Sequence, residues 1–307
     1  MQVKEKMLKI NPHELSISEL HGQLLGAVGP RPIALASTVD AAGNPNLSPY
    51  SFFNVFSSNP PIAIFSPSRR VRNNTTKHTL ENVLDNKEVV INVVSYSMVQ
   101  QTSLSSTEYG REVNEFDKAG FTPIASEIVK PLRVKESPVQ LECVVNEVIS
   151  LGDEGGAGNL VICEVKLVHI DQSILNEAGK IDPNKIDLVG RMGGNWYCRS
   201  SKDALFEVEK PLRNLGIGVD NIPSEIRNSH ILSGNDLGML GNVESIPSLD
   251  EVEKYMKENF STEQIQDFSI RNKEAVQELH SSAKELLSKN LIIEAWKILL
   301  IDKLNRK

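Results

Sequence analysis

Between residues 27 and 200 the apolar positions come in short, β-branched runs: IALASTV, PIAIFS, EVVINVVS, VQLECVVNEVIS, NLVICEVKLVHI and DLVGRM. Runs of this kind, bounded by turn clusters, predict strands. VDAAGNPN and GDEGGAGN supply the glycine and asparagine that connections between antiparallel strands need. Two segments carry the helical period instead. TKHTLENVLDNK places Leu80, Val83 and Leu84 on one face behind a threonine cap, and NEFDKAG stops at Gly120. Regular helices do not separate the strands, so a doubly wound parallel sheet is disfavoured and a closed or nearly closed antiparallel sheet is expected.

After Cys198 the pattern changes twice. Residues 201–242 are rich in glycine, asparagine and serine and predict an ordered loop assembly. From Val243 onward there is no glycine, and Pro247 is the last proline, so residues 243–307 predict a helical extension. Within it, ELLSKNLIIEAWKILLIDKL read as one helix places Leu287, Leu291 and Ile298 on one stripe and Ile293, Trp296, Leu300 and Leu304 on another. Such a helix needs cover, from the sheet domain of 1–200 or from a second subunit. Glu294, Lys297 and Asp302 interrupt the run and argue against membrane insertion.

Charge and cysteine usage narrow the class. In 307 residues, 33 basic and 40 acidic side chains give a net charge of -7, which weighs against a nucleic-acid or anionic-membrane partner. Cys143, Cys163 and Cys198 lack C-x-x-C spacing and read as buried thiols. The six histidines lack metal-ligand spacing, so no metal site is expected. The N-terminal stretch has no apolar core of a leader and no segment reaches the length of a membrane span, so a cytoplasmic protein is expected. Dinucleotide, P-loop and nucleophile-elbow motifs are absent.

The candidate chemistry lies between residues 31 and 79. Arg31, Ser37, Thr38, Ser48, Ser51, Asn54, Ser66, Lys77 and Thr79 form a concentration of hydroxyl and cationic donors. TTKHT, at a helix start, is a phosphate candidate, with His78 as a neighbour. The alternative is that Thr75, Thr76 and Thr79 cap a helix while Arg69, Arg70 and Arg72 lie on a solvated loop. In SPYSFFN, the rings of Tyr50, Phe52 and Phe53 with the polar Ser48, Ser51 and Asn54 suit a flat heteroaromatic ring, or else an aromatic core strand.

GPRPIALASTVDAAGNPNLSPYSFFNVFSSNPPIAIFSPS, then TKHTLENV, EVVINVV, NEFDKAGFTP and SPVQLECVV, resembles the flavin reductase-like, FMN-binding split-barrel family over about residues 15–200. The resemblance implies a mainly β fold, an antiparallel split barrel, forming a homodimer with FMN near the subunit interface. By the family's motifs, Ser37, Thr38, Ser48, Pro49, Tyr50, Ser51 and Asn54 contact the flavin, with Ser66 among the candidates. Lys77, His78 and Thr79 meet the phosphate, and Arg191 and Tyr197 of GRMGGNWY approach the ring. His78 stands where members often carry aspartate and would add positive charge. Arg31 or Arg191 would stabilise reduced flavin.

The implied activity is an NAD(P)H-dependent flavin reductase, with NAD(P)H as transient reductant and no catalytic side chain required. The alternatives are an FMN-retaining electron-transfer protein or a non-catalytic flavin- or haem-binding module. The GNDLGMLGN stretch is expected either to fold over the flavin or to brace the helical tail.

Overall fold

In the computed structural model residues 7–212, 214–269 and 273–304 are described, the side chains of 266–269 and 273 excepted. Residues 1–6, 270–272 and 305–307, which belong to the expected leaderless start and helical extension, lie outside them. The chain divides into two units, Met1–Phe206 and Glu207–Lys307.

The first unit carries the strands β1 (Ala34–Val39), β2 (Pro45–Tyr50), β3 (Phe53–Ser58), β4 (Pro61–Phe65), β5 (Glu88–Val93), β6 (Pro123–Ile124), β7 (Arg133–Val134), β8 (Val139–Ser150), β9 (Asn159–Ile170), β10 (Leu188–Gly193) and β11 (Trp196–Ser200). Seven of them make one antiparallel sheet in the order β2-β1-β5-β8-β9-β4-β3. β2 runs into β3 across Ser51 and Phe52, yet the two strands stand at opposite edges of the sheet. The sheet must therefore curl on itself, and Ser66 N–H, donating to the Phe52 carbonyl at 2.9 Å, extends the β3–β4 pairing up to the β2–β3 corner. The result is a split barrel.

Inside it, Phe65 is fully buried against Tyr50, with ring centroids 5.4 Å apart, among Ile91, Val161, Cys143 and Cys163. Burial pushes the Cys143 thiol up to about 12 and raises that of Cys163 well above its ordinary value, so both are inert fillers. Cys198 is half-buried, unlike the expectation that all three are enclosed. β1 is buried along its whole length, because Leu35 and Ile33 pack outward under Phe116, Met98 and Leu47.

Helices of this unit are α1 (Ile17–Ala27), α2 (His78–Asn86), α3 (Val99–Leu104), α4 (Glu115–Ala119) and α5 (Pro183–Ile186). The helix of NEFDKAG ends as expected, at Gly120 with φ 68°. Leu80 and Val83 of α2 are buried, whereas Leu84, expected beside them, is exposed. The strand read from DLVGRM is outside the seven-stranded sheet: β10 pairs with β11 as a separate hairpin. α1 lacks a buried residue and carries no core signal, although Ser16 and Glu19 cap each other reciprocally.

The second unit contains α6 (Ser224–Arg227), α7 (Gly234–Gly241), α8 (Leu249–Asn259), α9 (Thr262–Ser269), α10 (Lys273–Ser288) and α11 (Ile292–Leu304). It has a core of its own in which Trp296, Leu300 and Leu287 meet Ile226, Leu240 and Val252. The glycine-rich stretch, expected as a loop assembly, belongs to this core: GNDLGMLG is the helix α7, capped by Ser233 and Asp236. Its glycines permit close backbone contact, since a Cβ on Gly216 would lie 2.6 Å from the Gly241 carbonyl oxygen. The tail segment expected as one helix is two. Asn290, at φ 59°, turns the chain between α10 and α11, which leaves Leu291 and Ile293 exposed. Among the described residues no helix is long and apolar enough to cross a membrane.

Phe65→Ala should lower the unfolding free energy of the barrel by about 3–5 kcal/mol in urea denaturation. A loss below about 1 kcal/mol would mean that the barrel closes without this ring.

Candidate functional site

The site begins with a buried amide. Asn46 on β2 donates through Nδ2 to Glu115 Oε1 of α4 at 3.0 Å, and its Oδ1 accepts from Thr79 Oγ1 of α2 at 2.7 Å. Glu115 also accepts the Leu47 N–H at 3.1 Å, and Asn82 Nδ2 donates to Thr38 Oγ1 of β1 at 3.0 Å. Four elements, β1, β2, α2 and α4, are thereby joined, with burial holding the Glu115 carboxyl above its usual range against these donors.

Thr79 lies inside the first turn of α2 and is not its cap. The helix α2 starts behind an extended Lys77 without side-chain capping, and Thr76 Oγ1 turns to Glu81 Oε1 at 2.5 Å. Among the described residues, nothing pairs with the first-turn N–H groups of His78 and Thr79. An uncapped helix start of this kind presents N–H donors and the positive end of the helix dipole.

Around it, Asn46, Ser48, Tyr50, Arg70, Lys77, His78 and Thr79, with Ser105–Tyr109 and Glu115, line a pinched cleft of about 20 Å³. Arg70, Lys77 and Glu108 also line a neighbouring cavity of about 400 Å³, together with His21, Ser68, Arg69, Arg72 and Gly156. Arg70 donates from Nη1 to Thr75 Oγ1 at 3.0 Å and to the Thr76 carbonyl. The Glu108 carboxylate accepts from Arg70 Nε at 3.1 Å, from Lys77 Nζ at 3.3 Å and from Arg72. Tyr50 hydroxyl is buried beside Ser48 and Thr79 without a hydrogen bond of good geometry, and burial raises its phenol above the ordinary value.

Burial lowers the His78 imidazole. Arg111, Arg70 and Lys77 lower it further while Glu81 opposes them, so the ring is neutral near pH 7 and does not add the positive charge expected of it.

Of the residues singled out by sequence, Ser48, Tyr50, Lys77, His78 and Thr79 meet in the cleft. Pro49 adjoins them on β2, opposite Leu35 of β1. Ser51 and Asn54 lie at the β2–β3 corner, half-buried and exposed, where the Asn54 side chain accepts the Val55 N–H at 2.8 Å. Phe52 is exposed, its ring edge-on to His21, rather than in an aromatic cluster.

Others lie inside the fold. Ser37 and Thr38 are fully buried, Thr38 in the Asn82 network and Ser37 with its hydroxyl unpartnered. Ser66 Oγ accepts the Asn159 N–H at 3.1 Å, since β4 must be tied to β9 there. Arg31 donates from Nη1 to the Leu25 carbonyl at 2.6 Å and to that of Val28, closing the C-terminal end of α1. Arg191 sits in β10, 4.5 Å over the Tyr197 ring, its backbone paired with that of Arg31. The structure places Arg31, Arg191 and Tyr197 together but outside the lining of the cleft.

Sequence reading passed over Asn46, Ser105–Tyr109 and Glu115. The one available signal was the polar run SSTEYGRE followed by NEF, in which a glutamate precedes the buried Phe116.

Residues 27–183 match the flavin reductase like domain family. The chain belongs to that family. It is 37% identical over 189 residues to an uncharacterized protein of Aquifex aeolicus, covering 62% of this chain and 94% of that one. Nitrilotriacetate monooxygenase component B from Bacillus cereus is structurally similar, with TM-score 0.62 and 29% identity, across 66% of this chain and 100% of the other. So is a Shewanella frigidimarina protein assigned as a flavin reductase with a split barrel domain, at TM-score 0.55 and 27% identity, over 64% of this chain and 96% of that one. Membership makes this a flavin-related oxidoreductase, and the cleft at the start of α2 is the flavin reductase-like chain's candidate ligand site.

A nuclear magnetic resonance titration should find the His78 midpoint below 6.5. Because the unfolded ring binds a proton first, this group's contribution is retained above the ordinary imidazole range and falls as pH drops through it. A midpoint above 6.5 would show that Glu81 outweighs burial and the cations.

Proposed function

We propose that the protein is an NAD(P)H-dependent flavin reductase that takes FMN by its phosphate at the first turn of α2. The observation that carries this reading is the convergence of unpartnered N–H groups, Lys77 and Arg70 at one helix start, in a chain of the flavin reductase-like family. A phosphate monoester brings about -1.5 to -2 charges and three acceptor oxygens at neutral pH, which suits this donor set. The adjoining cavity, about 400 Å³, lies within the size range of small-ligand sites.

FMN, when bound, would supply the ring that accepts hydride from the nicotinamide, leaving NAD(P)+. The chain's own part is binding and orientation. Lys77 and Arg70 hold the phosphate, while the Ser48 hydroxyl and the unpartnered Tyr50 hydroxyl offer hydrogen bonds to a polar edge. Both arginines of the neighbouring pair already donate to carbonyls, Arg31 to those of α1 and Arg191 to that of Gly194, and neither lines the cleft. The likeness to component B of a monooxygenase supports onward transfer to a second protein or to oxygen.

A homodimer belongs to the same reading. β3 is an edge strand whose Val55 and Phe56 are 59% and 64% exposed, an apolar edge that a second copy would cover.

Two measurements test this. The purified protein should consume NADH or NADPH on addition of FMN, and Lys77→Ala should weaken FMN binding about tenfold or more, as expected for loss of one charge-assisted hydrogen bond. Unchanged FMN affinity would refute the phosphate assignment, and retained flavin with no turnover would favour an electron-transfer protein. In analytical ultracentrifugation, Phe56→Asp should convert a dimer into a monomer; a dimer that persists would place the interface elsewhere.

A further inference from the structure

The cation cluster that would hold the phosphate already holds an anion, Glu108. Its carboxylate accepts from Arg70, Lys77 and Arg72, three cations contributed by the segment 70–77. Burial works against its ionisation, but the hydrogen bonds and charges of Lys77, Arg70 and Arg72 prevail and hold it below the usual carboxylate range. The side chain is 36% exposed, and it lies in the irregular stretch between α3 and α4. Glu108 also lines both the 20 Å³ cleft and the 400 Å³ cavity, so with Arg70 and Lys77 it forms the partition between them.

We infer that Glu108 is a displaceable internal competitor for the ligand's phosphate, and that it makes the flavin exchangeable rather than permanently held. This rests on the flavin reading above. A carboxylate and a phosphate monoester need the same N–H donors, and their like charges repel at this separation. Binding therefore requires Glu108 to swing toward solvent, which its exposure and irregular backbone allow. Departure of the ligand is assisted by its return. Moving this one side chain also opens the partition between cleft and cavity, giving a phosphate and a ring one continuous space. Arg70 remains anchored meanwhile, because it keeps Thr75 and the Thr76 carbonyl as partners.

The experiment compares native protein, Glu108→Gln and Glu108→Ala for FMN, for riboflavin, which lacks the phosphate, and for inorganic phosphate. Flavin affinity is read by fluorescence quenching and phosphate binding by the shift in thermal midpoint. Both variants should bind FMN about tenfold more tightly, through slower dissociation, with riboflavin unchanged within about twofold. Inorganic phosphate should raise their thermal midpoint more than that of the native protein. FMN affinity that is unchanged or weaker in both variants overturns the proposal and makes Glu108 an organiser of the cations. If neither flavin binds native protein, the flavin reading fails, while the phosphate arm still decides the role of Glu108: greater protection of the variants supports it and equal protection overturns it.

Discussion

A single buried amide governs the geometry of the candidate site. Asn46 must satisfy both ends of its side chain away from water, and it does so with Glu115 of α4 and Thr79 of α2. An unmade bond at either end costs about 1–3 kcal/mol, so the amide holds the two helices against β2. Thr79 lies inside α2 and is drawn inward to Asn46, and the helix start, whose cap position is Lys77 without a side-chain hydrogen bond, lines the cleft. A hydrogen bond between residues 33 apart along the chain thus fixes how the start of α2 sits against β2.

The charges of the cleft are arranged around that helix start. Three cations from one short segment are gathered by Glu108, while Arg31, a cation of equal formal charge, is taken up by the carbonyl end of α1. Burial lowers the Arg31 guanidinium, with the neighbouring Arg191 adding to the effect, and the Leu25 and Val28 carbonyls compensate it. Cations are therefore divided between holding the fold and lining the cleft according to which acceptors lie near them.

The glycines show a related division, two in the first unit and two in the second. Gly43 and Gly156 serve turns, as their positive φ angles of 89° and 92° require. Gly216 and Gly241 instead let two backbones approach, so the glycine-rich stretch that reads as loop is a packed part of a helical core. Composition alone does not separate these uses.

Strand content, antiparallel class, the helical tail and the position of the donor-rich segment were legible in the sequence, because period, turn chemistry and caps are local and each is written within a few residues. Family motifs extended this to the split barrel. What the tertiary structure alone decided is which donors are taken: Thr38 and Ser66 look equivalent to Ser48 in the text, yet internal hydrogen bonds commit both to the fold, while Ser37 is fully buried with its hydroxyl unpartnered. Equally, the pairing of Glu108 with Arg70 and Lys77 joins residues 31 to 38 positions apart, and Asn46 finds Glu115 across 69. Such contacts depend on how the sheet curls and where α4 lands, and no local pattern encodes a partner that arrives from another element.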